Sequence, residues 1–191
     1  MKRIANMAVV VLMLAALSGS AFAANSLVSG SKALSIGFGD SVLNNVANPT
    51  DQNQNNPIVD IGGKLFVAKD LAITAGIGFQ MNSGDLEGTY LAFNAGIRKY
   101  LKTDDFAPFV GGQFSYITYD AELPAAQGGK YVDFSAFELS AMVGAEYFIG
   151  KQFSVEGSIG LAIGKAEDDQ SNLDTTYIGT KNLGVKANFY F

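Results

Sequence analysis

From Leu183 to Phe191 the chain alternates with period two: Leu183, Val185, Ala187, Phe189 and Phe191 fall on one face, and Gly184, Lys186, Asn188 and Tyr190 on the other. Strands repeat this way because successive side chains point to opposite faces. One of these faces suits an apolar environment and the other a polar one. The same rhythm recurs along most of the chain, so the fold must keep every strand at a boundary between two media.

The first residues read as an export signal. Lys2 and Arg3 precede the apolar run Val9 to Leu17, and Ala21-Phe22-Ala23 is a small-x-small cleavage site, giving a signal peptide over 1–23 and a new N-terminus at Ala24. That run is too short for a spanning helix, and no later apolar run is long enough for one. There is no cysteine, hence no disulfide framework. The net charge is −5 before the two signal cations are removed, and an acidic chain without a basic patch argues against nucleic acid. Residues 24–191 suit one domain. If this domain lies in a membrane it must be a closed barrel, because lipid leaves no partner for the backbone groups of an open sheet.

The alternation marks strands at about 33–39, 58–67, 71–80, 89–101, 108–119, 133–148, 153–164 and 177–191. Short connections at Ala68 to Asp70, Lys102 to Asp105 and Gly150-Lys151 alternate with longer polar ones at Ser41 to Pro57, Met81 to Gly88, Asp120 to Val132 and Ala166 to Thr175. The expected fold is all-β, an eight-stranded antiparallel up-and-down transmembrane β-barrel with both termini at the short-turn end. A barrel of this size has an interior filled by its own side chains. Small residues therefore belong on the polar face, where Gly37, Gly62, Gly76, Gly111, Gly144, Gly160 and Gly164 lie. A soluble lipid-binding barrel would put that glycine-rich face in water, weakening the strands with no packing in return. Two aromatic girdles are expected. Phe106, Tyr147, Phe153, Phe189 and Phe191 would form the one at the short turns, and Phe38, Phe79, Tyr116, Tyr119, Phe134 and Tyr177 the one at the long loops.

With its signal peptide, strand-loop rhythm and Asn188-Phe189-Tyr190-Phe191 ending, the chain resembles the small outer-membrane barrels typified by the OmpA transmembrane domain and by OmpX. The resemblance implies a place in the bacterial outer membrane and an assembly signal at Phe189, Tyr190 and Phe191. It also implies an envelope-structural or surface-interaction role, sometimes as a narrow channel. The partners it implies are outer-membrane lipids, lipopolysaccharide, the barrel assembly machinery and a surface ligand.

The polar face carries Asp60, Glu138, Glu146 and Glu156 against Lys64, Arg98 and Lys186. Charges in a tight lumen are costly unless paired, so a network is expected, with Glu156 on Lys186 and Arg98 on Glu146. It would serve as a plug or as a gate for small ions. Hydrolytic chemistry on this architecture generally needs a histidine, and the chain has none. The reading is non-enzymatic, with no catalytic, cofactor or metal site. Glu167, Asp168, Asp169 and Asp174 in the last loop, and Asp51 to Asn56, read as solvated loop rather than cation sites: Asn56 stands where a calcium loop needs its turn glycine, and Gly62 where it needs its closing glutamate.

Overall fold

The computed structural model describes residues 27–39, 58–82, 87–122, 131–168 and 173–191. The signal segment 1–23, the polar stretch 41–57 with its Asp51 to Asn56 run, and Asp169 lie outside them. The strands are β1 (Lys32–Gly39), β2 (Ile58–Ala68), β3 (Leu71–Asn82), β4 (Glu87–Tyr100), β5 (Phe106–Glu122), β6 (Tyr131–Phe148), β7 (Phe153–Asp168) and β8 (Leu173–Tyr190). Each pairs antiparallel with the next, and β1 closes on β8 with Ala33 opposite Tyr190 and Phe38 opposite Val185. A closed barrel has no sheet edge. Three short connections, 69–70, 101–105 and 149–152, gather at one end. Adjacent hairpins are tied there: Tyr100 N–H donates to Asp70 C=O at 2.7 Å, and Phe148 N–H to Asp105 C=O at 2.8 Å.

Sequence alternation becomes a lipid face and a lumen. Leu139, Leu161 and Val143 stand outward, 62%, 61% and 54% exposed, while Ser140, Glu138 and Ala162 between them in sequence or register are buried. The apolar side is thus the outside, the reverse of a soluble barrel.

Several strands run further than the alternation indicates. β5 continues to Glu122, β6 starts at Tyr131, β7 reaches Asp168 and β8 starts at Leu173. Pairs such as Asp120 with Asp133 and Glu167 with Asp174 extend the ladder beyond the apolar band. Backbone pairing persists there while the sequence no longer alternates in polarity. The short leader also has a structural role that its sequence does not announce: Gly30, at φ +89°, turns the chain so that its N–H donates to Phe66 C=O at 2.7 Å. Leu27 is then buried among Phe66, Tyr100 and Phe148 at the short-turn mouth.

Three of the expected girdle aromatics point inward instead. Tyr119 and Phe134, opposite one another in register, pack against an inner cluster of Tyr90, Ile117 and Tyr177. Tyr119 shares its phase with Ser115 and Ile117, so the strand period itself carries it inward. Tyr177 is turned in by a register shift, where Ser158 to Gly160 on β7 opposes Gly184 to Lys181 on β8. The extra residue reverses the phase of β8. Tyr177 is then 8% exposed and its ring lies across Gly164, where an added Cβ would run into the ring.

Leu139→Arg, on the lipid face midway along β6, is expected to lower the unfolding free energy in lipid vesicles by about 2–4 kcal/mol. A denaturant titration of the refolded protein reads this, and a loss below about 1 kcal/mol would remove Leu139 from hydrocarbon depth.

Candidate functional site

The lumen is built in layers. At the short-turn end Phe66, Tyr100, Phe109, Phe148 and Tyr190 close on one another around Leu27. Ring centroids lie 5.3 Å apart for Phe66 and Tyr100 and for Phe148 and Tyr190, and 5.5 Å apart for Tyr100 and Phe109, within the range of favourable aromatic pairs. At the long-loop end is the cluster of Tyr90, Ile117 and Tyr177. The charged residues occupy the space between.

Strand register sets the central problem. Glu146 on β6 faces Glu156 on β7 directly, and both are wholly buried. Like charges at such a position repel. Lys64 reaches them from β2 on the opposite wall, its Nζ 2.8 Å from Glu146 Oε2 and 2.5 Å from Glu156 Oε2. Arg98 from β4 adds Nη1 at 2.5 Å from the same Glu156 oxygen, with its guanidinium 4.9 Å from the Phe109 ring centroid. Two cations thus meet two carboxylates in a buried section of the lumen.

Glu146 is further held by hydroxyls and an amide. Tyr100 donates to Oε2 at 2.7 Å, and Tyr190 and Asn188 donate to Oε1 at 2.6 and 3.0 Å. Ser154 also donates to Oε1. Asn188 is oriented in turn by Ser35, whose hydroxyl donates to Oδ1 at 2.6 Å. Such a carboxylate has its desolvation offset by charge-assisted bonds. Glu156 takes both of its cations on Oε2, and its Oε1 has no hydrogen-bond partner among the described residues.

The expected pairings change partners. Lys186 is opposite Glu156 in register, yet its Nζ lies 2.5 Å from Asp60 Oδ1. Gly37 makes this reach possible, standing between Asp60 and Lys186 in the same row. A Cβ on Gly37 would meet Lys186 Cγ at 2.5 Å, so the lysine stem crosses where a side chain is missing. Arg98 likewise takes Glu156 rather than Glu146. A narrow lumen brings opposite walls as close as adjacent strands, and register alone does not choose the partner. Glu138 is separate, buried beside Tyr177, whose hydroxyl lies 3.4 Å from Oε2. The sequence-expected residues Lys64, Arg98, Glu146 and Glu156 therefore form one network, and Asp60 and Lys186 form a second pair beside it.

Tyr100, Tyr190, Ser154 and Asn188 are the members that the count of charges misses. Their signal is phase: each shares the inward face of its strand with one of the expected charges. Of the terminal residues, Phe189 faces out against Phe153 at 5.0 Å between centroids. Phe191 exchanges backbone bonds with Lys32, and Tyr190 enters the network. A cavity of about 20 Å³ lies above, lined by polar groups including Asp60, Asn94, Gln113 and Lys186. Its size suits a single water.

Glu156→Ala leaves Lys64 and Arg98 under-compensated and is expected to cost about 3–5 kcal/mol. In double-mutant cycles on the refolded protein, Asp60 with Lys186 is expected to couple more strongly than Glu156 with Lys186. The opposite order would return Lys186 to its register neighbour.

The family model of the outer membrane protein beta-barrel domain matches residues 9–191. Comparison with curated proteins finds no match. Among solved structures, the N-terminal β-barrel domain of Pseudomonas aeruginosa OprF is similar at a TM-score of 0.55 and 10% identity, covering 85% of this chain and 98% of that one. The outer membrane protein OprG of the same organism is similar at 0.54 and 10% identity, covering 87% and 98%. Neisserial surface protein A gives 0.50 and 13%, covering 84% and 95%. At these identities the structural likenesses concern the fold. The family match and the outward apolar face together place the chain in the bacterial outer membrane and set aside the soluble lipid-binding barrel. Closed on eight strands and matched almost from end to end, the chain belongs to the outer membrane protein beta-barrel domain family.

Proposed function

We propose that this barrel is a non-conducting, non-enzymatic component of the outer membrane. In this reading it supports the envelope through its wall and meets lipopolysaccharide and a surface ligand at its long-loop end. The observation that carries the reading is the filled lumen, where two wholly buried carboxylates and two cations at most 4% exposed lie between aromatic layers. An ion crossing this section would have to break several charge-assisted bonds at once. The absence of histidine from the chain supports the non-enzymatic part. Phe189, Tyr190 and Phe191, on the amphipathic strand β8, would serve the barrel assembly machinery.

A narrow gated pore is the second reading, favoured by one feature of the network. Lys186 faces Glu156 in register, Glu156 Oε1 has no partner among the described residues, and Asp60 now holds the lysine. A swing of Lys186 from Asp60 to Glu156 would rearrange the polar section beside the small cavity.

Planar-bilayer recording of the refolded protein separates the two. The expected result is a silent bilayer for wild type and for Lys186→Ala, after heat-modifiable gel mobility has confirmed folding. Discrete openings that change in the variant would establish the pore in place of the plug.

A further inference from the structure

The outer wall of β1 to β4 is not evenly covered. In one register row Gly63 faces Leu34 on one side and Ala75 on the other, so the row sinks between bulkier neighbours. The result is an apolar hollow of about 620 Å³, floored by Gly63 and Ala75 and walled by Leu34, Leu65, Ile73 and Phe93. Its volume falls within the range of sites that hold a ligand. Leu65, Ile73 and Phe93 are 43%, 49% and 47% exposed, so these walls face the bilayer rather than the lumen.

One charged side chain of the outer wall lines this hollow. Lys32 is exposed and stands opposite Leu65 at the short-turn end of β1. The adjacent turn adds Lys69, and Lys99 beyond it is bound to Asp70 at 2.5 Å. That hydrogen bond from Lys99 holds the Asp70 carboxyl below the usual carboxylate range, so Asp70 is paired with Lys99 rather than with Lys32. From the row of Lys32 to the row of Phe93 the hollow covers four residues along the strands, about 13 Å. Barrel strands tilt by about 35–45°, so this is about 10 Å of depth, within one leaflet of a hydrocarbon core of about 30 Å. Short turns face the periplasm in outer-membrane barrels, so the leaflet concerned is the periplasmic one.

We propose that this hollow retains one anionic phospholipid of the periplasmic leaflet, with an acyl chain laid on Gly63 and Ala75 and its phosphate on Lys32. Shape and charge argue together. An acyl chain completes the contacts that a smooth wall would have made with bulkier side chains, and a lysine at the interface attracts an anionic headgroup. At the long-loop rim of the same barrel Asp120 stands opposite Asp133, and Glu167 and Asp174 share the one cation of Lys165, so carboxylates outnumber cations among these residues and an anion is drawn to the other end.

The test uses the protein refolded into vesicles of phosphatidylethanolamine and phosphatidylglycerol, extracted in a mild detergent and weighed by native mass spectrometry. Wild type is expected to carry one phosphatidylglycerol. Gly63→Leu fills the hollow from outside, since a Cβ there meets only Ala33 C=O at 3.4 Å, and should lose the lipid. Lys32→Gln should reduce retention about fivefold, the equivalent of about 1 kcal/mol for one interfacial lysine. Lys102→Gln, at a different short turn, should leave retention unchanged. Ala75→Leu fills the same floor if Gly63→Leu shows no heat-modifiable folded form. The proposal is overturned by wild type without lipid, or by a filled hollow that keeps it. Equal losses for Lys32→Gln and Lys102→Gln, meaning general interfacial charge, would also overturn it. So would a dimer mass lost in Gly63→Leu, which would make the occupant a second copy of this chain.

Discussion

Everything in this molecule follows from closing the sheet where no water is available. Once β1 pairs with β8, every strand has a neighbour on both sides and the backbone groups are satisfied within the wall. Closure at eight strands also fixes the width of the lumen, and a lumen that narrow must be filled by side chains rather than solvent. The charged residues are there because the polar phase of each strand faces inward, and the polar phase has to hold something. Their problem is then electrostatic. Glu146 and Glu156 stand side by side, and two carboxylates in register without counter-ions would oppose closure. Lys64 resolves this from across the lumen, which ties β2 to β6 and β7 through side chains although the sheet connects them only by way of intervening strands. Interactions across the lumen brace the wall in a direction that the ladder does not cover.

The inner glycines acquire a second meaning in this light. A narrow lumen demands small residues on average, but the places where they fall are set by particular partners. Gly37 lies under the stem of Lys186 and Gly144 under the ring of Phe109, each at a distance that a Cβ could not share. These two bulky inward side chains each lie over a missing side chain on a neighbouring strand. The network and the glycines are two halves of one packing solution.

How much of this was legible follows from which physical rule each feature obeys. Strand alternation depends on the local period, so the lipid and lumen phases of Leu139, Glu146 or Lys186 could be read residue by residue. Where both faces of the barrel meet water the polarity contrast disappears, and the ends of β5 to β8 disappeared from the sequence pattern with it. Tyr119 was readable by phase, being two residues from Ile117, yet its aromatic character suggested a girdle. Tyr177 was not readable from phase alone, because the shift near Gly184 reverses the alternation of β8. The charge partners were the least accessible. Pairing between adjacent strands can be counted along the chain, while contact across a lumen depends on barrel shear and on which side chains are long. Lys64 and Lys186 are chemically identical on the page, and only the missing side chain at Gly37 and the geometry of the opposite wall decide which carboxylate each one reaches.

The same reasoning separates the lumen from the wall as places where function can reside. In the lumen, every change of state must exchange one buried ion pair for another, and the carboxylate of Glu146 has so many donors that little freedom is left around it. On the wall, the medium is lipid, contacts are dispersive and a depression such as that at Gly63 and Ala75 costs only the contacts that a lipid chain can restore. A tight interior and a contoured exterior are therefore compatible demands on one strand. Lys64 and Gly63 illustrate it: adjacent in sequence on β2, one secures the plug and the other leaves room outside for a lipid chain.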